Sequence, residues 1–366
     1  MIFRFLLLFV PVSFVLGYGL HAAPSWVFLT AALAIIPLAE WVRRATEAVA
    51  EHLGPAIGGL LNVSFGNAPE LILALFVLRA GEGEVVKAQI TGSIIGNSLL
   101  GLGLAIVVGS WGREKQTFRR ERASLLGSLL MLSVVALLLP AIFDYTERGL
   151  SADRSTTAAL DERLSLGVAV VLIFVYFANL AYTLVTHRDI FAAAPEDAAD
   201  AAKHASEDGC NRWSMKKSLG ILAGATALTA VEAELVSGAL ESTAYQLGLS
   251  TFFLGVTVLA VVGNAAEYVS ALYFARKNRM GLVMTITVGS TIQIALLVAP
   301  LLVIASWLLG KPMNLVFSNP IELAAIASVA FVVNAIASDG ETTWFEGVLL
   351  LAVYVLLALC FFFIKT

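Results

Sequence analysis

The feature that most constrains this chain is a succession of apolar blocks, each long enough to cross a hydrocarbon core. A helical crossing takes about 20 residues. With 59% of its 366 residues hydrophobic and only 14% charged, the chain departs far from the balance of a soluble domain. Spanning strands would show short segments of alternating polarity, and none occurs. The expectation is an all-α, polytopic membrane protein.

Eleven spans are expected, near 3–20, 25–42, 56–79, 85–109, 122–143, 165–187, 216–240, 250–276, 282–309, 320–338 and 344–364. The first, with Arg4 before an apolar run and Ala22-Ala23 after it, has the shape of a signal peptide. It is read as an uncleaved first helix, since a second apolar run begins at Trp26. The one long polar break runs from Arg188 to Trp213, acidic and alanine-rich around Pro195-Glu196-Asp197, which suits a short surface helix. Lys and Arg divide between the two sides of this arrangement roughly 16 to 7. The richer side takes the N-terminus and is cytoplasmic, and an odd number of spans leaves the C-terminus outside. Cys210 and Cys360 then lie toward opposite faces and form no disulfide. No basic patch with interleaved aromatics points to nucleic acid.

The chain contains an internal repeat. Gly66-Asn67-Ala68-Pro69-Glu70 recurs as Gly263-Asn264-Ala265-Ala266-Glu267, an offset of 267 − 70 = 197, and Gly92-Ser93 recurs as Gly289-Ser290 at the same offset. Ahead of the motif, Ala39-Glu40, Glu47 and Leu53-Gly54 parallel Ala233-Glu234, Glu241 and Leu247-Gly248 at an offset of 194. The motif falls on the third and eighth spans. Five spans apart, the copies enter the membrane from opposite sides, the inverted topology of secondary transporters. The expected units are an extra helix at 1–22, a five-helix repeat at 23–187, an acidic linker at 188–214 and a second five-helix repeat at 215–366.

A carboxylate inside a hydrocarbon-length segment costs about 2–3 kcal/mol even on lenient insertion scales. A lone case can equally be a packing residue neutralised by a hydrogen bond. Duplication in inverted halves, each copy after Gly-Asn, favours a functional pair. Gly66 and Pro69 weaken helical hydrogen bonding and Asn67 adds an amide oxygen. Carboxylate and carbonyl oxygens suit a hard divalent cation, of which calcium takes 6–8. No histidine or cysteine lies near, which argues against a soft metal. Without a cation, desolvation and mutual repulsion make two converging carboxylates take up protons, and a divalent cation displaces them. Competition for one site gives antiport.

Glu70, Glu267, Asn67 and Asn264 are thus the candidate ligands. Ser93, Asn97, Ser290 and Gln293, on the next helix of each half, could complete the shell or serve a proton path. Ser93 and Ser290 could also be packing residues, and Gln293 aligns with Gly96 rather than Asn97. Glu40, Glu47, Glu234 and Glu241 are expected near membrane edges, with Glu234 the deepest of them and a candidate for an ion path.

The segments Gly66-Asn67-Ala68-Pro69-Glu70-Leu71 and Gly263-Asn264-Ala265-Ala266-Glu267 resemble the paired signatures of the calcium/proton exchanger family, in the cation/calcium exchanger superfamily. The lead-in Gly58-Gly59-Leu60-Leu61-Asn62-Val63-Ser64-Phe65 is similar to that family as well. The resemblance implies Glu70 and Glu267 as shared calcium and proton ligands, with Asn67, Asn264 and nearby carbonyls in the shell. It also implies alternating access by movement of outer helices. The expected location is a prokaryotic cell membrane. Two departures are Gly96-Asn97-Ser98, where the family often has Ser-Asn before Leu, and an acidic segment broken by Lys203 and His204.

The alternative within the superfamily is a sodium/calcium exchanger. Those relatives carry Gly-Thr-Ser before the glutamate and a further membrane carboxylate. This chain has Gly-Asn-Ala, and no Asp or Glu follows in spans four or nine. An intramembrane enzyme is excluded by the absence of His-Glu-x-x-His and of a nucleophilic serine motif with histidine. A channel suits two singular glutamates less well than a carrier. Calcium is expected as substrate, with no resident cofactor, and the partners are protons and the lipid bilayer. A homo-oligomer is compatible with the sequence.

Overall fold

Apolar runs with few helix breakers become long helices here. The computed structural model describes residues 2–150, 154–186, 213–317 and 319–364. After a turn at Ile2–Leu6 come α1 (Phe9–Gly19), α2 (Pro24–Phe65), α3 (Ala68–Ala80), α4 (Gly83–Gly109), α5 (Arg120–Leu150) and α6 (Arg154–Ala181). Then follow α7 (Met215–Leu247), α8 (Thr251–Gly263), α9 (Ala265–Arg276), α10 (Met280–Leu308), α11 (Pro320–Asp339) and α12 (Trp344–Phe363). Two short strands, β1 (Gln116–Thr117) and β2 (Glu341–Thr342), pair antiparallel with Gln116 opposite Thr342.

Among the described residues, eight helices are long and apolar enough to cross a membrane, and nine if the bent pair α8–α9 is one span. The protein is an integral, multi-pass, nearly all-helical membrane protein. The other two of the eleven expected spans are shorter as helices. They are α1 and the segment ending in α3, whose helix has 13 residues. The acidic linker and Cys210 lie outside the described residues, and Cys360 is a free thiol.

The largest departure from expectation is α2. The sequence places a connection after residue 42, around Arg43 and Arg44, yet the helix runs straight through. Its charges neutralise one another at helical spacing. Arg43 binds Glu40 at 2.8 Å and pairs with Glu47, and Arg44 binds Glu40 at 2.6 Å. The turn comes later. Gly58 lies against the Ala50 carbonyl, whereas eight residues of straight helix would separate them by about 12 Å. The chain therefore folds back between these two residues.

Burial sorts the helices into layers. α4 is buried over most of its length, while α12 faces outward and exposes Phe345, Leu356 and Phe363. In a bilayer such surface is lipid contact. α2 lies along α7, α5 packs on α11, and α4 occupies the middle against α8, α9 and α12. Gly92 permits the tightest of these crossings, because a side chain there would run into the Val256 carbonyl on α8.

The connections meet in two groups. In one, Phe118 donates its amide to the Gly340 carbonyl at 2.9 Å, Gln116 donates to the Ala275 carbonyl at 3.3 Å, and Trp41 stacks on Trp213. Lys115 joins this group through Glu341 at 2.7 Å, and that carboxylate's hydrogen bond and charge hold the lysine amine above its ordinary range. In the other, Lys87 donates to the Val316 carbonyl at 2.7 Å and Leu315 donates its amide to Ser165 at 2.9 Å. Each group joins ends that the alternation of the expected spans puts on one face.

Candidate functional site

The two Gly-Asn motifs break their helices where the sequence expects it. Residues 66 and 67 form the turn between α2 and α3, and Asn264 separates α8 from α9 at a bend of 55°. Each glutamate falls in the first turn of the helix after its break. That end of a helix carries positive partial charge and favours a carboxylate. The breaks meet at the centre, where a methyl group added at Gly263 would stand 3.5 Å from the Glu70 side chain.

Hydrogen bonds cross between the halves. Ser290 donates to Asn67 Oδ1 at 2.9 Å, and Asn67 Nδ2 donates to Gln293 Oε1 at 2.6 Å. In the mirrored sense Asn264 Nδ2 donates to Ser93 at 3.0 Å, and Asn97 Nδ2 donates to Asn264 Oδ1 at 2.8 Å. The motif asparagine of each half is thus held by the serine and amide of the other half. Ser93 hydrogen-bonds Glu70 Oε1, which also accepts from Asn264 Nδ2 at 3.2 Å. Asn97 and Gln293 occur one position apart in repeat register. Asn97 is the second residue of a widened, π-helical turn, Gly96–Gly101 in α4, and Gln293 stands immediately before another, Ile294–Val298 in α10. Such turns often mark functional sites.

Expected residues that converge are therefore Glu70, Asn67, Asn264, Ser93, Asn97, Ser290 and Gln293, with Glu267 beside them on α9. Glu234 does not join. It is exposed on α7, and the most buried of the four edge glutamates is Glu40, held by its arginines. Two residues that the sequence does not single out do belong. Gln89 is 1% exposed and donates to the Glu70 carbonyl at 3.4 Å, and Tyr268 is buried beside Glu267. Gln89 lies four residues before Ser93 and eight before Asn97, a helical spacing that could have revealed it. Nothing in the sequence says where Tyr268 points.

Buried polar atoms in proteins nearly always have partners. Here Glu70 Oε2, Glu267 Oε2, Gln89 Oε1, Asn97 Oδ1 and Tyr268 Oη are buried without one. Four of the five are acceptor oxygens with no hydrogen to offer when the carboxyls are ionised. A set of carboxylate and amide oxygens with open lone pairs is the donor set of a hard cation. Among the described residues no cluster of three or more acidic, histidine or cysteine side chains exists. The site rests on two carboxylates completed by neutral oxygens.

The model of the family described as "Sodium/calcium exchanger protein" matches residues 24–185 and 217–363. The chain belongs to the sodium/calcium exchanger protein family. Among its relatives in the family is a Ca(2+)/H(+) antiporter of Aphanothece halophytica, 45% identical, with 99% of this chain and 96% of that one covered. Another is the Ca(2+)/H(+) antiporter ChaA of Bacillus subtilis, 40% identical, with 96% of each covered. Of solved structures, native YfkE superposes with a TM-score of 0.81 at 36% identity over all of both chains. The H+/Ca2+ exchanger CAX, at 17% identity and a TM-score of 0.73, shares the exchanger fold.

Proposed function

We propose that this chain is a secondary active antiporter that exchanges calcium, or a similar divalent cation, for protons by alternating access. The observation that carries the reading is the pair of glutamates at crossed helix breaks, each with a buried oxygen that has no partner. Glu70 and Glu267 are the shared ligands. A cation between them takes up the open oxygens, with Asn67 and Asn264 in the shell and Ser93, Asn97, Ser290 and Gln293 positioning those asparagines. Removal of the cation leaves two desolvated carboxyls that bind protons instead, so one site serves both substrates in turn.

The relatives' names support protons as the counter-ion, and the site supports it from its composition. A carrier of several sodium ions needs more fixed negative charge than two carboxylates supply. Calcium is cargo, and no resident cofactor has a role. The two five-helix units, 23–187 and 215–366, are inverted repeats that approach the site from opposite faces, with 1–22 as an added helix and 188–214 as a cytoplasmic linker. The excess of Lys and Arg puts the N-terminus in the cytoplasm and the C-terminus outside, in a prokaryotic cell membrane.

The test is calcium uptake into proteoliposomes under an imposed pH gradient, with a sodium gradient and manganese competition as parallel arms. Uptake that follows the pH gradient and ignores sodium supports the reading. Uptake driven by sodium alone sinks it.

A further inference from the structure

The site is two-fold in its asparagines and serines but not in what surrounds them. The repeat-mate of Tyr268 is Leu71, and that of Gln293 is Gly96. At one crossing the additional polar group comes from the long helix, where Gln293 binds Asn67. At the other the long helix has Gly96 at that register position and binds Asn264 through the next residue, Asn97. There the motif helix adds a further polar group, the Tyr268 hydroxyl. Gln293 is satisfied by its asparagine, whereas the Tyr268 hydroxyl has no partner.

Tyr268 is not free to look for one elsewhere. A methyl group added at Gly96 would stand 2.5 Å from its hydroxyl oxygen, and one at Gly101 would stand 2.8 Å from its ring. The ring therefore lies against the glycines of the π-helical turn of α4, with the hydroxyl at Gly96, the residue before Asn97. Asn97 Oδ1 is itself a buried acceptor without a partner, its amide nitrogen being committed to Asn264. Both carboxylates lie within electrostatic reach of the hydroxyl. A buried donor and a buried acceptor at the same helical turn, each without a partner, are groups that an ordered water can bridge.

We infer that the Tyr268 hydroxyl is a specificity-determining group of the cation site, holding with Asn97 Oδ1 a water that stays in the bound ion's coordination sphere. The inference rests on the proposed reading of Glu70 and Glu267 as cation ligands. Chemically it supplies what two carboxylates and a few amides lack. Calcium takes 6–8 oxygens, and a retained water fills one position without a further charge. Divalent ions differ in how tightly they hold water, so a group that fixes one water in place weights the choice among them.

The substitution Tyr268→Phe keeps the ring and its packing and removes one oxygen, which makes it the test. Equilibrium calcium binding to the purified full-length protein and proton-driven uptake in liposomes are measured together. Tyr268→Phe is expected to raise the calcium Kd and KM by about three- to tenfold, to leave kcat within about twofold, and to change the calcium-to-manganese preference. Unchanged binding and preference overturn the inference, as does a lower kcat at an unchanged KM.

Gly96→Ala supplies a second, independent measurement, since its methyl group displaces the hydroxyl. It is expected to weaken calcium binding at least as much as Tyr268→Phe, and the double variant to bind no worse than Tyr268→Phe alone. A double variant that adds the two losses also overturns the inference, because the methyl group then acts on something other than the hydroxyl. A wild-type protein that binds calcium but does not exchange it for protons sinks the exchange reading alone. The binding comparison between wild type and Tyr268→Phe still decides the role of the hydroxyl.

Discussion

The two halves carry nearly the same motif in unequal surroundings. Glu70 is sealed, 2% exposed, with Oε1 accepting from Ser93 and Asn264. Glu267, its repeat-mate, is half-buried, and the charges that act on it besides Glu70 are those of Arg43 and Glu40 on α2. The surroundings differ in sequence, since Tyr268, Gln293 and Gln89 have Leu71, Gly96 and Ile286 as repeat-mates, and the two glutamates differ in exposure with them. In a carrier that alternates access, the half-buried glutamate on α9 is the one expected to meet its surroundings first.

The largest effect should come from the property the halves share. Glu70→Gln and Glu267→Gln each remove one of two charges that hold a divalent ion, and proton-driven calcium uptake is expected to fall at least about 100-fold in both, or about 2.7 kcal/mol. Retention of the wild-type elution profile in size-exclusion chromatography separates loss of function from misfolding. Wild-type flux in either variant would break the picture of a shared site.

The asparagines should differ in degree. Asn264 donates toward Glu70, Ser93 and the Ala260 carbonyl and accepts from Asn97, whereas Asn67 is held by Ser290 and Gln293 alone. Each buried hydrogen bond is worth about 1 kcal/mol. With two hydrogens on its amide nitrogen, Asn264 makes at most one more of these bonds than Asn67, so Asn264→Ala should raise the calcium KM about fivefold more than Asn67→Ala. Equal effects would mean that the observed asymmetry has no weight in the transport cycle.

Access itself can be read with thiol reagents. In a background with Cys210 and Cys360 replaced by Ser, a cysteine at 267 should react with a small soluble reagent at least about tenfold faster than one at 70. The ratio should shrink under conditions that turn the carrier over. A cysteine at 70 that reacts first would mean that the populated state is the opposite one.

Most of the span pattern, the helix breaks and the identity of the residues around both asparagines are legible in the sequence, because apolar length and an exact repeat offset carry that information. That each asparagine is held by the other half is seen only in the structure. Tyr268 is not legible, because its role depends on which face of a helix meets a neighbour and its repeat-mate, Leu71, is apolar. Gln89 is signalled only by its spacing to Ser93 and Asn97, its own repeat-mate, Ile286, being apolar. The course of α2 is obscured for another reason. Arg43 and Arg44 have the composition of a loop and are half-buried in ion pairs that only helical geometry brings together.

Glu234 shows the same limit at its smallest scale. By repeat register it is the mate of Glu40, which makes it the deep one of its helix, yet it is exposed on α7. Glu232, two residues earlier and so about 200° around the helix, is fully buried and bound to Ser13 of α1 at 2.8 Å. Its repeat-mate is Leu38, so register gives no warning of a carboxyl there. Ser13→Ala strands a buried carboxyl and should lower stability by about 1–3 kcal/mol, read as a drop in Tm. Glu232→Leu removes both the carboxyl and its need for a partner, and should cost less than Ser13→Ala. Glu234→Gln should leave Tm unchanged and the calcium KM within about twofold of wild type, since an exposed side chain off the site has nothing to lose. A large fall in flux in that variant alone would return Glu234 to the ion path and show that the exposed face of α7 is part of the route.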